Sequence, residues 1–203
     1  MTIDEGYVKY TSHWTEGPPP DAAIVDLLET WRAPLYSAGL IGHYEDLGVG
    51  YGNISVRHGA RGQFVISGTQ TGHLSRTGRD HYSLVTNYDI DANDVSCVGA
   101  VQASSESLTH AAIYEVDPGI NAIVHVHSRL LWNRLLNRVP TTNADVAYGT
   151  PEMAREFARL YRDTDFASTG IAVMGGHDEG IISIGHSLEQ AARRVLDIAR
   201  DPD

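Results

Sequence analysis

A single cysteine, Cys97, occurs in 203 residues. One thiol excludes an internal disulfide and a cysteine-based zinc site, and it suits a reducing compartment, so a cytoplasmic location is expected. Cations are also scarce: 15 Lys and Arg against 26 Asp and Glu give a formal net charge of −11. A general nucleic-acid binder neutralises phosphates with clustered basic residues, so that class is excluded. One phosphate in a dedicated pocket is not. No apolar run approaches the roughly 20 residues of a membrane-spanning helix. The opening "MTIDEGYVKYTSHW" is too acidic and polar for a secretory leader. Repeats and low-complexity tracts are absent, as are a Walker lysine and a GxGxxG turn between strand and helix, so nucleotide binding is not expected.

What remains is ordinary in bulk and unusual in one residue type. At 42% hydrophobic, the chain can bury a full single-domain core. "GPPP" at 17–20 ends an N-terminal arm, residues 1–20, and one domain is expected over 21–203. "DAAIVDLLETWRAPLYSAGL" reads as a helix with Asp21 as N-cap, an apolar face of Ile24, Leu27, Leu28 and Trp31, and Gly39 as its stop. "GNISVR" and "GQFVISG" read as a hairpin around "HGARG". Residues 74–100 look polar and turn-rich, with "NYDIDANDV" a loop leading into a strand. Helices are expected near 105–116, 128–136 and 151–162, and a last one in "SLEQAARRVLDIAR". "NAIVHVHS", "GIAVMGG" and "GIISIG" read as strands. Mixed elements with hairpin connections favour an α/β sandwich with a substantially antiparallel sheet.

Ten histidines are many for this length. In "NAIVHVHS", residues i and i+2 of a strand share a face, so Ile123, His125 and His127 point one way while Val124 and Val126 pack the other. Two same-face imidazoles can reach one cation, or can simply hydrogen-bond. A third ligand is available in His177, which "VMGGHDEG" places between glycines that let the backbone turn sharply. His186 competes, but it precedes Ser187, the expected cap of the last helix. Glu106, at the start of the "SSESLTH" helix, suits capping, and beside a cation it would also suit ligation and proton transfer. His110 follows one turn later and reads as a packing or supporting group. "GVGYGNIS", "SGTQTG" and the pair Ser104–Ser105 are small, hydroxyl-bearing turns that together could surround one phosphate with neutral donors.

The order "GNIS", "ISGTQTG", "SSE…H…Y", "IVHVHS" and a late glycine-flanked histidine resembles the class II aldolase/adducin family, from about residue 24 to 196. Members of that family include L-fuculose-phosphate aldolase and L-ribulose-phosphate 4-epimerase. The resemblance implies a three-layer α/β/α sandwich around a largely antiparallel central sheet. It implies a homotetramer with sites between subunits, and a divalent cation, zinc first, with manganese, cobalt, nickel and iron(II) admitted by the same ligands. Matched residue by residue, it makes His125, His127, His177 and Glu106 the metal ligands, with Glu106 also the catalytic base. Gly52, Asn53, Thr71, Gly72, Ser104 and Ser105 become the phosphate pocket, with Ser67 or Thr69 as alternatives to Thr71. The implied activity is an aldolase-type lyase that cleaves a small, phosphorylated ketose or hydroxy-keto acid through a metal-stabilised enediolate. Epimerisation, decarboxylation, dehydration and an adducin-like scaffold are the alternatives.

Three features depart from the family pattern. "HDEG" carries Asp178 and Glu179 after the third ligand, where they would reshape access or add a carboxylate to the site. The His127–His177 stretch is short and lacks the segment that delivers a catalytic tyrosine; between His127 and "PEMAREF" the sole tyrosine is Tyr148. No long tail follows the last helix.

Overall fold

A computed structural model describes residues 6–201. The first half runs β1 (Thr11–Glu16), α1 (Ala22–Ser37), β2 (Gly42–Tyr44), β3 (Val49–Tyr51), β4 (Asn53–Arg57), β5 (Phe64–Ser67), β6 (Tyr82–Asp89) and β7 (Asp94–Gly99). The second runs α2 (Ser107–Val116), β8 (Ala122–His127), α3 (Arg129–Leu135), α4 (Pro151–Asp163), α5 (Phe166–Thr169), β9 (Ile171–Val173), β10 (Gly180–Gly185) and α6 (Leu188–Arg200). Eight strands form one sheet in the order β1-β7-β6-β5-β4-β8-β10-β9, and β2 and β3 form a separate small hairpin. All neighbours in the large sheet are antiparallel except β1 and β7, so residues 11–16 of the N-terminal segment close one edge of it.

Strand side chains alternate between two separate cores. Ile123, Ile66, Phe64 and Ile182 join Leu108, Phe157 and Phe166 from α2, α4 and α5. Val124, Val126, Ile54 and Ile181 join Leu28, Leu131 and Val195 from α1, α3 and α6. Helices therefore cover both faces, giving the expected three layers. β8 lies between β4 and β10 with all six of its residues buried, which explains its β-branched run. Each fully buried Val or Ile there contributes about 1.5–3 kcal/mol. Among the described residues, no helix is long and apolar enough to cross a membrane.

Two local expectations differ from the structure. Residues 74–100 contain more strand than turn: β6 and β7 pair across residues 90–93, with a register shift between Val85 and Asn87. Buried polar side chains in β6 hid it, because they find backbone partners: Ser83 donates to the Val101 carbonyl. In α1 the buried stripe is Val25, Leu28, Arg32 and Leu35, while Leu27 is exposed. Arg32 takes the inward slot because its guanidinium donates to the Thr71 and Leu74 carbonyls at 3.0 and 2.8 Å. Asp21 stands at the N-cap position of α1 without a side-chain capping bond.

Candidate metal centre

His125 and His127 end the central strand on one face. In register, His125 lies beside Asn53 of β4 and Ile182 of β10, and His127 beside Gly180. His177 sits in the turn between β9 and β10, which is closed by Met174 N–H to Gly180 O and Gly180 N–H to His177 O, each 2.9 Å. Its glycines are required. A Cβ on Gly176 would stand 2.0 Å from the Val146 carbonyl, and one on Gly175 2.3 Å from that of Thr142. Their absence lets residues 142–146 pack against the turn and aims His177 at the strand end. One ligand atom from each of the three histidines lies within 4.8 Å of the others, and all three residues are buried.

Burial holds all three as neutral imidazoles, the form that binds metal: His125 falls to about 3, and His127 and His177 well below the usual value. His125 Nδ1 lies 3.2 Å from the Asn53 amide, and its Nε2 has no hydrogen-bond partner among the described residues. His127 Nδ1 lies 3.1 Å from Tyr44 Oη. Glu106 is 2% exposed and neither carboxylate oxygen has a hydrogen-bond partner among the described residues. Burial pushes its carboxyl up to about 7, against the smaller effects of Thr109 and Lys9. Glu106 lies outside the three-histidine cluster but lines the adjoining pocket with His125. Neutral imidazoles beside an unsatisfied buried carboxyl form a donor set that fits a divalent cation.

The small pocket gathers every residue expected to hold phosphate: Gly52, Asn53, Thr71, Gly72, Ser104 and Ser105, with Thr69 beside them. Close packing shapes it, since a Cβ on Gly72 would stand 2.1 Å from the Gly42 carbonyl and Gly52 has φ +75°. Ser67 is used elsewhere, accepting from Ile54 N–H at 3.2 Å. Thr71 donates to the Gly68 carbonyl at 2.9 Å, and Ser104 Oγ accepts from Glu106 N–H at 3.3 Å. His110 is buried with Nδ1 2.8 Å from Ser55 Oγ, and His186 is exposed with Nδ1 2.7 Å from the Gly119 carbonyl. Tyr148 is brought to the site, its ring 4.5 Å from that of His177, with Lys9 Nζ 3.8 Å from the same ring.

Asp178 and Glu179 do not join the histidine cluster. They pair with Arg129, through NH1 to Asp178 and Nε to Glu179, both at 3.1 Å. Tyr44, Arg129 and Arg32 escaped sequence reasoning. Nothing in "GHYEDLG" marks Tyr44, and Arg129 is visible only as the residue following "HVHS".

The family model of the class II aldolase and adducin N-terminal domain matches residues 38–200. The chain belongs to that family. Solved structures of this aldolase family share its fold. L-fuculose-1-phosphate aldolase from Thermus thermophilus superposes with a TM-score of 0.64 at 21% identity, over 90% of this chain and 92% of that one. A sugar-phosphate aldolase from Thermotoga maritima gives 0.64 at 17% identity, over 87% and 91%. YgbL from Klebsiella pneumoniae, whose description leaves aldolase, epimerase and decarboxylase open, gives 0.65 at 19% identity, over 88% and 86%. Class II aldolases are divalent-metal-dependent enzymes of small-molecule substrates and often oligomerise, which accords with the three-histidine group of this chain.

Proposed function

We infer that this class II aldolase relative is a divalent-metal-dependent lyase that cleaves a small ketose or hydroxy-keto acid bearing a phosphate. The observation that carries this reading is the buried three-histidine cluster beside Glu106 and a pocket of neutral donors. His125, His127 and His177 would hold the cation, zinc by preference for imidazole, with Glu106 as a further ligand in the resting state. When bound, such an ion supplies Lewis-acid polarisation of a carbonyl and offsets the negative charge left on carbon after bond cleavage.

The residues of the chain do the rest. Ligation through Nε2 of His125 requires a proton on Nδ1; the Asn53 amide faces that atom through Nδ2 at 3.2 Å with Oδ1 unpartnered among the described residues, and turning the amide end for end lets Oδ1 accept the Nδ1 proton. Ser104, Ser105, Thr71 and the backbone at Gly52 and Gly72 orient a phosphate without a fixed cation. Glu106 Oε exchanges a proton with the substrate carbon, a task open to a buried carboxyl whose oxygens no hydrogen bond among the described residues ties down. A homotetramer and a cytoplasmic setting complete the proposal.

Purified protein should carry about one zinc or similar ion per chain. His125→Ala combined with His127→Ala should remove that ion and all aldol cleavage; a double variant with full metal content overturns the assignment. A second reading, in which the same centre epimerises, decarboxylates or dehydrates a sugar phosphate, is favoured by the likeness to YgbL and by the short His127–His177 stretch. Product mass from a substrate panel separates them: two fragments, an isomer, loss of carbon dioxide or loss of water. A metal-free protein that still assembles would instead support a scaffold.

A further inference from the structure

Asp178 and Glu179, which depart from the family pattern, join Arg129 and Tyr44 in a chain of contacts that ends on His127. Tyr44 Oη lies 3.1 Å from His127 Nδ1 and 2.8 Å from Glu179 Oε2. The other oxygen of Glu179, Oε1, accepts from Arg129 Nε at 3.1 Å, and Arg129 NH1 also donates to Asp178 at 3.1 Å. Arg129 opens α3, two residues beyond His127, while Glu179 lies two beyond His177. The network therefore ties the strand bearing one ligand to the turn bearing another. Ser128 N–H to the Glu179 carbonyl, at 3.0 Å, adds a backbone tie between the same segments.

Hydrogen-bond direction along this chain is fixed by chemistry. A carboxylate only accepts, so the Tyr44 hydroxyl donates to Glu179 and offers its lone pair to His127. His127 Nδ1 must then carry the ring proton, which leaves Nε2 as the lone pair available to a cation. Glu179 holds this position at a backbone cost, because its φ is +69°, in the left-handed region that side chains other than glycine and asparagine seldom occupy. A glycine would suit the backbone of that turn better, so what favours glutamate there is its side-chain contacts with Arg129 and Tyr44. Strain of this kind persists where the surroundings impose it for function.

We propose that Glu179, acting through Tyr44 and locked by Arg129, is a positioning residue of the metal centre that sets the tautomer and orientation of His127. This rests on the reading of the three histidines as metal ligands. The test uses full-length protein and Zn2+ alone, with affinity measured by competition against a chromophoric chelator. Tyr44→Phe and Glu179→Gly should each weaken zinc binding about 10–100-fold. The double variant should lose little more than either single one, because both break the same relay. Glu179→Gln retains an acceptor for Tyr44 and should recover most of the affinity. Glu179→Gly should also leave the melting temperature of the metal-free protein unchanged or raise it, a combination that a merely structural glutamate would not give. Nitrogen NMR of the His127 ring should report a protonated Nδ1 in the wild type and a mixture of tautomers in Tyr44→Phe.

Wild-type zinc affinity in both single variants, or fully additive losses in the double variant, overturns the relay while leaving the metal centre standing. Wild-type protein that takes up no zinc overturns the centre itself, and the relay with it.

Discussion

At Glu106, burial works against charge. Its carboxyl stands near 7 rather than the ordinary 4.5, so the metal-free folded state keeps a proton that the unfolded chain has already released. This group therefore stabilises the fold fully below about 4.5, and its contribution, about 3 kcal/mol at most, is lost as pH rises through about 7. Glu106→Gln keeps the shape without the charge. In urea unfolding of metal-free protein, the stability of this variant relative to wild type should grow from pH 4.5 to 7 and stay level above. A difference independent of pH would show that the carboxyl is not held protonated. The same variant should retain the fold yet turn over about 100–10,000-fold more slowly if Glu106 moves the proton. The buried histidines act with the opposite sign. Held neutral at pH values where the unfolded chain takes up protons, they make the metal-free fold lose stability as pH falls below the ordinary histidine value of about 6.5.

Among the elements, turns decide the site and strands supply its frame. Gly176→Ala places a methyl against the Val146 carbonyl 2.0 Å away, backbone that cannot step aside as a side chain would. The substitution should cost at least about 2 kcal/mol in urea unfolding and weaken zinc binding with it, because His177 is the next residue. Gly78→Ala, where the nearest atom to a new methyl is 3.9 Å away, should change neither measurement. Elements with a clean period and a cap were legible in sequence. The α4 and α6 helices appear where expected, with Thr150 accepting from Met153 N–H and Ser187 from Gln190 N–H. β8 was legible because its β-branched run is buried on both faces. β6 was not, since its inward serine and outward asparagine mimic a loop until the Val101 carbonyl accepts the hydrogen bond of the serine hydroxyl. Arg32 broke the apolar stripe of α1 for a similar reason: carbonyls 39 and 42 residues away, unseen in sequence, make its burial tolerable.

For the whole molecule, the sheet brings together residues 52–53, 71–72, 104–106, 125–127 and 177, segments that share no local pattern. The proposed homotetramer should run in light scattering at four times the 22.1 kDa of the chain, and a monomer at all concentrations would refute it. The sequence alone determined the mixed α/β class and the same-face pairing of His125 and His127, and through the family resemblance it offered His177 and Glu106 as further candidates. Strand alternation and glycine-flanked turns are local physics, readable without a fold. Tertiary structure alone decided that neither oxygen of the buried Glu106 carboxyl has a hydrogen-bond partner among the described residues, that Tyr148 packs on His177, and that Asp178 and Glu179 pair with Arg129 rather than joining the three-histidine cluster. Those outcomes depend on which distant groups share a space, and only closure of the sheet and its turns fixes that.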